Sequence, residues 1–583
     1  MKKYSFSIIT IIFASLLTLS LSLTSSIYGQ ENNTDNATYS DDNRPNILVI
    51  VADDFGFSDL KPYGGDIIAP NLEKLANESS LFTNFHIMPV CSPSRSLLMT
   101  GVDVHQNGMG TMVEVITPNQ VGKPGYETYL NDKVTTIAQI LEDSGYHTYT
   151  TGKWHLGENQ ENWPYNRGFE ESYTLLHGGA TNWNGAIPLS AYHAFWVKNN
   201  EKIAYPNGTY SSDLYADELI KMIDKNSNDK KPFYAYLAFQ ATHWPLHAPS
   251  EYIEANDGRY DMGWDQLREQ RLENQKKLGI FNDTIELGPS WEKGWAAVEK
   301  WDNLSSDQKS YESKKMEVYA AMAQAMDHNI GKVIDHLKKI GEYNNTLIIF
   351  TTDNGGESEK SDDLKLREDI VKEVNQFITT QNNSESNLGN ANSFISYGPG
   401  WAQASNTPFK AFKGFLTEGG IRVPFIVKTP GDSEYELQNS TTFVSDVVPT
   451  LLDYASATYP GTGNNGIQLE PLAGKSIKPI LEGQTDKIYQ DTEFVPLEYF
   501  GNKAVFNGNW KALNLGIPFG GDNTWHLYDL NNDPSETNDL SSEQPDLLNK
   551  MVSSYNEFAN QTEIIEPDFK ADTPISDEIS VPG

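Results

Sequence analysis

Cysteine is almost absent from this chain, since Cys91 is the only one among 583 residues. A single thiol excludes an internal disulfide framework and makes redox pairing a poor reason for the residue to exist. Basic residues are also scarce, because 44 Lys and Arg oppose 79 Asp and Glu and leave a formal net charge of −35. So acidic a surface argues against nucleic acid and polyanionic partners, which bind to cationic patches. An anionic substrate would need a local cluster of positive charge.

Long apolar runs are confined to the N-terminus. Met-Lys-Lys, the apolar segment 5–23 and small residues near Gly29 are typical of a secretory signal peptide over residues 1–29. Left uncleaved, it would act as a membrane anchor, which is the one membrane contact that we expect. The polar, acidic residues 30–43 predict a disordered leader. We therefore expect an exported protein that is secreted, periplasmic or located at the cell surface.

The rest of the chain alternates between strand and helix patterns. Residues 46–52 and 346–353 are continuous apolar runs, as expected of strands that are buried on both faces. We therefore predict an α/β fold in which residues 44–483 form a large domain with a mixed, mostly parallel sheet sandwiched by helices. Residues 484–583 predict a small C-terminal α+β domain with a short antiparallel sheet. Two polar or Trp-rich segments, 251–307 and 357–400, resemble insertions.

Acidic side chains follow two of the predicted core strands. Asp53 and Asp54 end the first strand, and Asp353 and Asn354 end the second. The carboxyl ends of parallel strands are where open α/β sheets place their ligands. Oxygen ligands without His or thiolate select a hard cation, so Ca²⁺ or Mg²⁺ fits better than zinc. A lone Asp-Asp pair would more often be a turn or a helix cap, but two such pairs favour a metal site.

Cys91 opens the segment Cys-Ser-Pro-Ser-Arg-Ser-Leu-Leu-Met-Thr-Gly, in which a helix is predicted to start. The pattern Cys-x-Pro-Ser-Arg-x-x-x-x-Thr-Gly resembles the maturation signature of the formylglycine-dependent sulfatases, which belong to the alkaline phosphatase-like superfamily. The resemblance implies that a maturation enzyme oxidises Cys91 to formylglycine (3-oxoalanine). It also implies that Asp53, Asp54, Asp353 and Asn354 bind Ca²⁺ together with the modified Cys91. Calcium is preferred to magnesium on the strength of this resemblance.

Further motifs extend the resemblance over nearly the whole mature chain. Gly152-Lys-Trp-His-Leu-Gly and the segment from Lys413 to Pro424 resemble two elements of the family, and residues 527–536 resemble its C-terminal signature. The resemblance implies that Arg95, Lys153 and Lys413 bind the sulfate group. Lys410 competes with Lys413 for this role. The insertions make the chain most similar to the bacterial aryl- and alkylsulfatase branch.

Two histidines are predicted to carry protons, His155 in the Lys-Trp-His element and His243 just beyond a strand. His247 competes with His243, whereas packed histidines of the core are expected at His86, His105 and His177. In the implied mechanism, a hydroxyl of the hydrated aldehyde attacks sulfur, His243 and Lys413 assist the leaving alcohol, and His155 promotes release of sulfate from a sulfated enzyme intermediate.

The predicted function is thus hydrolysis of a small aryl or alkyl sulfate ester. Hydrolases of phosphonates and phosphate diesters are the main alternative, because they can share the Cys-type nucleophile. An inactive sulfate- or glycan-binding protein is the alternative if Cys91 is never oxidised. Alkaline phosphatases would use Ser or Thr as the nucleophile and His residues as metal ligands.

Overall fold

The computed structural model describes residues 44–186, 195–293, 296–360, 372, 375–431 and 434–568. These residues all belong to one unit, which spans residues 42–583. The predicted signal peptide and acidic leader lie outside the described residues, as does part of the segment 357–400. The division between a large and a small domain at residue 483 stays a prediction.

The apolar runs form the strands of the central sheet, and residues of β1 and β8 are fully buried as their sequences predict. The strands are β1 Asn46–Ala52, β2 Ser80–His86, β3 His147–Lys153, β4 Glu171–Leu175, β5 Trp196–Lys198, β6 Glu201–Ile203, β7 Phe233–Ala238, β8 Thr346–Thr352, β9 Arg422–Lys428, β10 Glu436–Gln438 and β11 Thr442–Phe443. Within the described ranges they form one eleven-stranded sheet in the order β10-β2-β9-β8-β1-β7-β3-β4-β5-β6, with β11 beside β2.

The direction of the strands decides where the site lies. Strands β8, β1, β7, β3 and β4 pair in parallel. Strand β9 is antiparallel to both β8 and β2, so β2 runs in the same direction as β8. The mixed, mostly parallel sheet predicted from the sequence is confirmed. The carboxyl ends of β1, β2, β3, β7 and β8 therefore meet at one edge, and the segment that precedes β9 reaches the same edge.

Helices cover both faces of the sheet. Leu48 and Ile50 of β1 point into one apolar cluster, whereas Ile47 and Val49 point into another on the opposite face. Complete burial of each such side chain contributes about 1.5–3 kcal/mol. The helices are α1 Pro70–Ala76, α2 Cys91–Thr100, α3 Val104–Asn107, α4 Ile137–Asp143, α5 Ser211–Asn226, α6 Ser250–Ala255, α7 Gly263–Lys277, α8 Ser306–Lys339, α9 Gly398–Ser405, α10 Glu418–Ile421, α11 Val447–Ala455, α12 Lys478–Leu481 and α13 Pro545–Gln561. None of these described helices is long and apolar enough to cross a membrane.

Two parts of the core were not expected from the sequence. Strand β2 is fully buried although Ser80, Thr83 and Asn84 interrupt its apolar pattern. The segment 251–307 lacks clean periodicity, yet it contains most of α6 and the whole of α7, and Trp264 packs edge-to-face on Trp401. This segment therefore contributes to the main apolar cluster.

The C-terminal part forms a separate antiparallel sheet, as predicted. Its strands are β12 Val495–Tyr499, β13 Asn502–Asn507, β14 Trp510–Asn514 and β15 His526–Asp529, in the order β12-β13-β14-β15. The amphipathic α13 packs on this sheet, with Met551 and Tyr555 against Val505.

Candidate active site

The predicted site residues gather at the edge of the sheet where the strand ends meet, and each is at most 9% exposed. Because β1, β2, β3, β7 and β8 run in the same direction, segments that are far apart in sequence converge there. The residues that the structure brings to these segments are Asp53, Asp54, Cys91, Arg95, Lys153, His155, His243, Asp353, Asn354 and Lys413.

Cys91 is the first residue of α2, as the Pro93 position predicted. Its Sγ lies 3.3 Å from Nδ1 of His155 and 4.0 Å from Sδ of Met112. Burial raises the pKa of the thiol, but the charges of Lys153 and His155 outweigh it and lower the pKa to about 7. The position therefore favours an anionic oxygen or sulfur, which is the property that a nucleophile needs.

The end of β3 is shaped by Gly152, whose φ of +101° is unfavourable for a residue with a side chain. A Cβ atom there would lie 1.7 Å from the carbonyl oxygen of Ala238 on β7. Glycine thus permits β3 and β7 to approach closely while Lys153 and His155 turn into the site. His155 itself adopts a left-handed φ of 59°.

Three buried oxygen atoms in the site have no hydrogen-bond partner among the described residues. They are Oδ1 of Asp53, Oδ2 of Asp54 and Oδ1 of Asn354. A buried polar atom without a partner costs about 1–3 kcal/mol, so three together are unusual in a stable core. Burial and the neighbouring Asp353 carboxylate raise the pKa of Asp53 well above its usual range. A divalent cation would satisfy all three oxygens and offset the repulsion between the carboxylates.

The donor set fits a hard cation. The open oxygens of Asp53, Asp54 and Asn354 are carboxylate and amide oxygens, which Ca²⁺ and Mg²⁺ prefer. Asp353 is more engaged, because its Oδ2 accepts a hydrogen bond from Nε of Arg95 at 2.7 Å and forms an ion pair with Nη2 of the same side chain at 2.6 Å. Atoms of Asp53, Asp54 and His243 lie within 4.8 Å of one another, so His243 borders the cation position.

Each predicted cationic side chain pairs with a carboxylate of the site. Nζ of Lys153 lies 2.7 Å from Oδ2 of Asp53. Nζ of Lys413 lies 2.7 Å from Oδ1 of Asp54 and 2.7 Å from Oε2 of Glu357. These pairs hold the cations around the carboxylates, where an anionic group would meet them.

The geometry separates Lys413 from its competitor Lys410. Nζ of Lys410 donates to the carbonyl oxygen of Glu536 at 3.1 Å and lies near the rings of Trp291 and Tyr528. Lys410 therefore faces the C-terminal sheet, and Lys413 is the lysine of this segment that contacts the site.

The two predicted proton carriers have opposite electrostatic surroundings. Burial lowers the pKa of His155, but the charges of Cys91 and Glu114 raise it to about 9. Burial also lowers the pKa of His243, and the Asp54 charge does not compensate for it, so the pKa falls to about 3. Nδ1 of His243 contacts the carbonyl oxygen of Trp244 at 2.5 Å, which fixes the ring.

The other histidines lie outside this arrangement. His247 contacts the carbonyl oxygen of Ser393 at 2.8 Å, so it does not replace His243. His86 pairs with Glu418, and His105 lies between Asp103 and Glu498, as expected of packed histidines. His177 is buried too, but it stacks near His155 with ring centroids 6.1 Å apart and therefore borders the site.

Two carboxylates near the site were not found by sequence reasoning. Oε1 of Glu114 lies 3.2 Å from Nε2 of His155, on the side of the ring opposite Cys91. No motif marks Glu114, because the contact joins a loop to a strand end 41 positions away. Glu357 follows the Asp353-Asn354-Gly-Gly turn, so its position after the predicted metal ligands was an available signal.

Known proteins are similar to this chain in sequence and in fold. The sulfatase family model matches residues 45–457, and a model described as the C-terminal part of N-sulphoglucosamine sulphohydrolase matches residues 410–561. The chain is 40% identical over 538 residues to an uncharacterized sulfatase of Schizosaccharomyces pombe, covering 90% of this chain and 94% of that protein. It is 38% identical over 442 residues to an arylsulfatase of Klebsiella aerogenes, covering 75% of this chain and 92% of that protein.

A solved structure is similar to this chain in fold. The crystal structure of Ps i-CgsB in complex with k-i-k-neocarrahexaose aligns with a TM-score of 0.62 and 25% identity, over 91% of this chain and 95% of that chain. Family match, relatives and fold agree over most of the sequence, including the sheet edge that carries the buried acidic cluster. This chain therefore belongs to the sulfatase family of the alkaline phosphatase-like superfamily, and it is a sulfuric ester hydrolase.

Proposed function

We propose that this protein hydrolyses a small aryl or alkyl sulfate monoester to an alcohol and inorganic sulfate, with Cys91 matured to formylglycine. One observation carries the proposal. The Cys91 side chain lies at a helix N-terminus beside three cations and beside carboxylate and amide oxygens that have no hydrogen-bond partner in the described part of the chain. A nucleophile, an anion site and a cation site thus coincide.

The charge balance indicates what the site needs before it can bind an anion. With all of these groups ionised and no metal bound, the carboxylates outnumber the cationic side chains by one, so the side chains alone give a sulfate ester no net positive charge to bind. A divalent cation reverses the sign and makes the site attractive to an anion. The carboxylates are Asp53, Asp54, Asp353 and Glu357, and the cations are Arg95, Lys153 and Lys413.

We assign the metal to Asp53, Asp54, Asp353 and Asn354, together with the modified residue 91, and we prefer Ca²⁺ to Mg²⁺. When bound, the metal would polarise the sulfate oxygens, and the hydrated aldehyde would supply one hydroxyl to attack sulfur and a second to release sulfate from the sulfated enzyme. In the structure, Sγ of Cys91 stands where the oxygen of the aldehyde would lie.

The cations bind and orient the transferring group. Lys153 and Lys413 are held by carboxylates on one side, so their remaining N–H groups can donate to sulfate oxygens. Arg95 is committed to Asp353 through two nitrogens and acts mainly by fixing that carboxylate. Each donor aimed at developing charge is worth about 3 kcal/mol of transition-state stabilisation.

His155, His243 and Lys413 are the groups that can hold or accept a proton. His243 lies 3.7 Å from Asp54 and close to Lys413; its lowered pKa leaves the ring neutral, so Lys413 is the member of this pair that would carry a proton for a leaving alcohol oxygen. His155 contacts the residue-91 side chain directly, and the Cys91 thiolate that raises its pKa would be absent from the matured residue, so the imidazole would be able to accept a proton from a hydroxyl at that position. Glu114 stabilises the protonated imidazole that results.

We extend the proposal to the cellular context. A maturation enzyme would convert Cys91 during export, before α2 is buried, because the residue is only 3% exposed in the folded chain. The predicted signal peptide would direct the protein to a secreted, periplasmic or surface location.

A substrate comparison tests the proposed reaction. Matured protein is offered 4-nitrophenyl sulfate, bis-4-nitrophenyl phosphate and a phenylphosphonate ester at the same pH, with Cys91→Ala as the matched control. The proposal expects the highest kcat/KM for the sulfate ester and no turnover by the control. Faster hydrolysis of the phosphate diester or phosphonate would favour the alternative reaction, and binding of the sulfate ester without turnover by fully matured protein would favour a binding protein.

A further inference from the structure

Two consecutive glycines, Gly178 and Gly179, lie between the predicted catalytic histidines. They follow β4, whose extension at Leu176 accepts a hydrogen bond from the backbone of His155 at 3.1 Å. Gly178 faces the ring of His155, and Gly179 faces the ring of His243. One short segment therefore contacts both imidazoles.

The lack of side chains here is needed for space. A Cβ atom on Gly178 would lie 2.8 Å from Cε1 and 3.1 Å from Nε2 of His155. A Cβ atom on Gly179 would lie 3.2 Å from both Cε1 and Nδ1 of His243. Neither glycine adopts a left-handed φ, so an alanine would suit the backbone, and its tight contacts would be with the histidine rings.

The ring of His155 is held on its other sides as well. Its Nδ1 contacts Cys91 at 3.3 Å, and its Nε2 contacts Glu114 at 3.2 Å. Both ring nitrogens are engaged and His177 is stacked at 6.1 Å, and Gly178 lies so close to Cε1 that no side chain fits between them. A side chain at position 178 would therefore change the distance between the His155 ring and residue 91.

We propose that Gly178 and Gly179 are positioning residues that set the placement of His155 and His243 relative to the reacting group. This proposal deepens the proposed sulfatase mechanism and rests on it for the roles of the two histidines. A methyl group on Gly178 would displace the His155 ring from its present contact with residue 91, and one on Gly179 would displace His243 by a smaller amount. Because a histidine ring is the movable end of a side chain, folding would be largely preserved.

Double-mutant cycles separate positioning from a structural role. Gly178→Ala is expected to lower kcat for 4-nitrophenyl sulfate by roughly 100-fold, the effect of a misplacement of about 1 Å. In the His155→Ala background, the same substitution should have almost no further effect, since the ring that it displaces is gone. Gly179→Ala should be coupled in the same way to His243→Ala, and less strongly to His155→Ala.

Gly461→Ala is the matched control, because a Cβ atom at Gly461 meets nothing within 4 Å and its φ is ordinary. It should leave kcat and KM unchanged. If the losses of kcat in the single variants simply add in the double variants, the proposal is wrong. It is also wrong if unfolding of Gly178→Ala at the assay temperature accounts for its whole loss of activity.

A second readout does not depend on sulfatase activity. Protein made without maturation keeps Cys91 as the only thiol in the chain, so iodoacetamide reports on that position alone. In a chelator and at fixed pH, alkylation should slow by roughly tenfold in Gly178→Ala, because the thiolate loses its contact with His155. Gly179→Ala and Gly461→Ala should react like the wild type.

Sulfatase activity and the rate of alkylation test the proposed function and the positioning proposal separately. If wild-type protein hydrolyses no sulfate ester but Gly178→Ala still slows alkylation, the proposed function is wrong and the positioning of His155 stands. If sulfatase activity is present but neither kcat nor alkylation responds to Gly178→Ala, the positioning proposal is wrong.

Discussion

Two clusters of buried charge in this protein are similar in composition but differ in how completely they are paired. The catalytic cluster, formed by Asp53, Asp54, Asp353 and Asn354 with their cations, keeps three oxygens without a partner among the described residues. The second, which we name the linking cluster, comprises Glu418, Lys511 and Glu536 with His86 and Arg422. It joins α10, β14 and the turn after β15.

Every carboxylate oxygen of the linking cluster has a donor group within 3.0 Å. Nζ of Lys511 lies 2.8 Å from both Glu418 and Glu536. The second oxygen of Glu418 contacts His86 at 3.0 Å, and that of Glu536 accepts from the backbone N–H of Glu418 at 2.9 Å. Oε1 of Glu536 pairs with Lys511 by charge without an aligned hydrogen bond, and Nδ1 of His86 has no hydrogen-bond partner among the described residues, but each carboxylate oxygen of this cluster lies beside a donor group. Such pairing stabilises a junction, whereas open oxygens indicate a site that is completed by a ligand.

The linking cluster also has a consequence for the site. Glu418 closes the segment that begins at Lys410 and includes Lys413, and Glu536 and Lys511 belong to the C-terminal part. The small sheet thus supports the loop that carries Lys413.

The largest expected effect is on activity, in the catalytic cluster. Cys91→Ala should lower turnover of an aryl sulfate by roughly 10⁶-fold, as removal of a nucleophile commonly does. The melting temperature should change little, since the substitution removes a small side chain from a site that is not optimised for stability. A turnover assay and a thermal melt on the same sample check both; residual activity within tenfold of wild type would contradict the assignment.

The largest expected effect on stability is in the linking cluster. Lys511→Met leaves two buried carboxylates without their shared cation and should lower the free energy of unfolding by about 3–5 kcal/mol. Urea unfolding measures it, with Lys487→Met as the control, because the Lys487–Asp491 pair is largely exposed and should contribute nothing measurable. Equal stability of the two variants would mean that the linking cluster does not stabilise the junction.

Removing and restoring the metal distinguishes the catalytic cluster from the linking cluster. Adding Ca²⁺ at 100 times its Kd to chelator-treated protein should raise the free energy of unfolding by about 2.7 kcal/mol and raise the melting temperature. Asp54→Asn should weaken this response, because it removes a charge from the open oxygens, whereas Lys511→Met should keep it. A calcium response that is identical in Asp54→Asn and wild type would place the cation elsewhere; testing Mg²⁺ in parallel checks the preference for Ca²⁺.

The last expected effect is a pH dependence outside both clusters. Although burial lowers the pKa of His105, hydrogen bonds from its ring to Asp103 and Glu498 raise it to about 10. Because the pKa in the folded state is above its usual value of about 6.5, this stabilisation is complete below pH 6.5 and is lost as the pH rises towards 10. The slope should not exceed about 1.4 kcal/mol per pH unit.

The matched variant for this effect is His105→Gln. Its unfolding free energy should decline less than that of wild type between pH 7 and 10 in urea titrations. Parallel pH profiles for the two proteins would show that His105 does not carry the dependence.

Much of the fold follows from local pattern. Strands β1 and β8 were predicted because continuous apolar runs that end in Asp have few alternatives. Strand β2 was missed because its buried Thr83 and Asn84 are satisfied by a distant segment near residue 440. Helix α7 was missed because it is rich in charged residues, and its Arg271 is buried only through pairing with Asp59 and Asp66.

The residues of the candidate site likewise include some that local sequence pattern predicts and some that it does not. Asp53, Asp54, Asp353 and Cys91 were predicted from strand ends and a motif, and the sulfatase family and the enzyme class are confirmed. Distances between segments are not contained in local pattern: Lys153 meets Asp53 across 100 positions, and Glu114 meets His155 across 41. Gly178 and Gly179 also carry no signal of their own, because their importance lies in the rings that they face. The roles of the individual site residues stay predictions.

The state of residue 91 tests the central claim most directly. Trypsin should release residues 75–95 as one peptide, and we would measure its mass in protein isolated from the native host. The account predicts an aldehyde in place of the thiol, which a hydrazide reagent traps quantitatively. An unmodified thiol in every molecule would contradict the proposed chemistry and would favour a sulfate-binding protein instead.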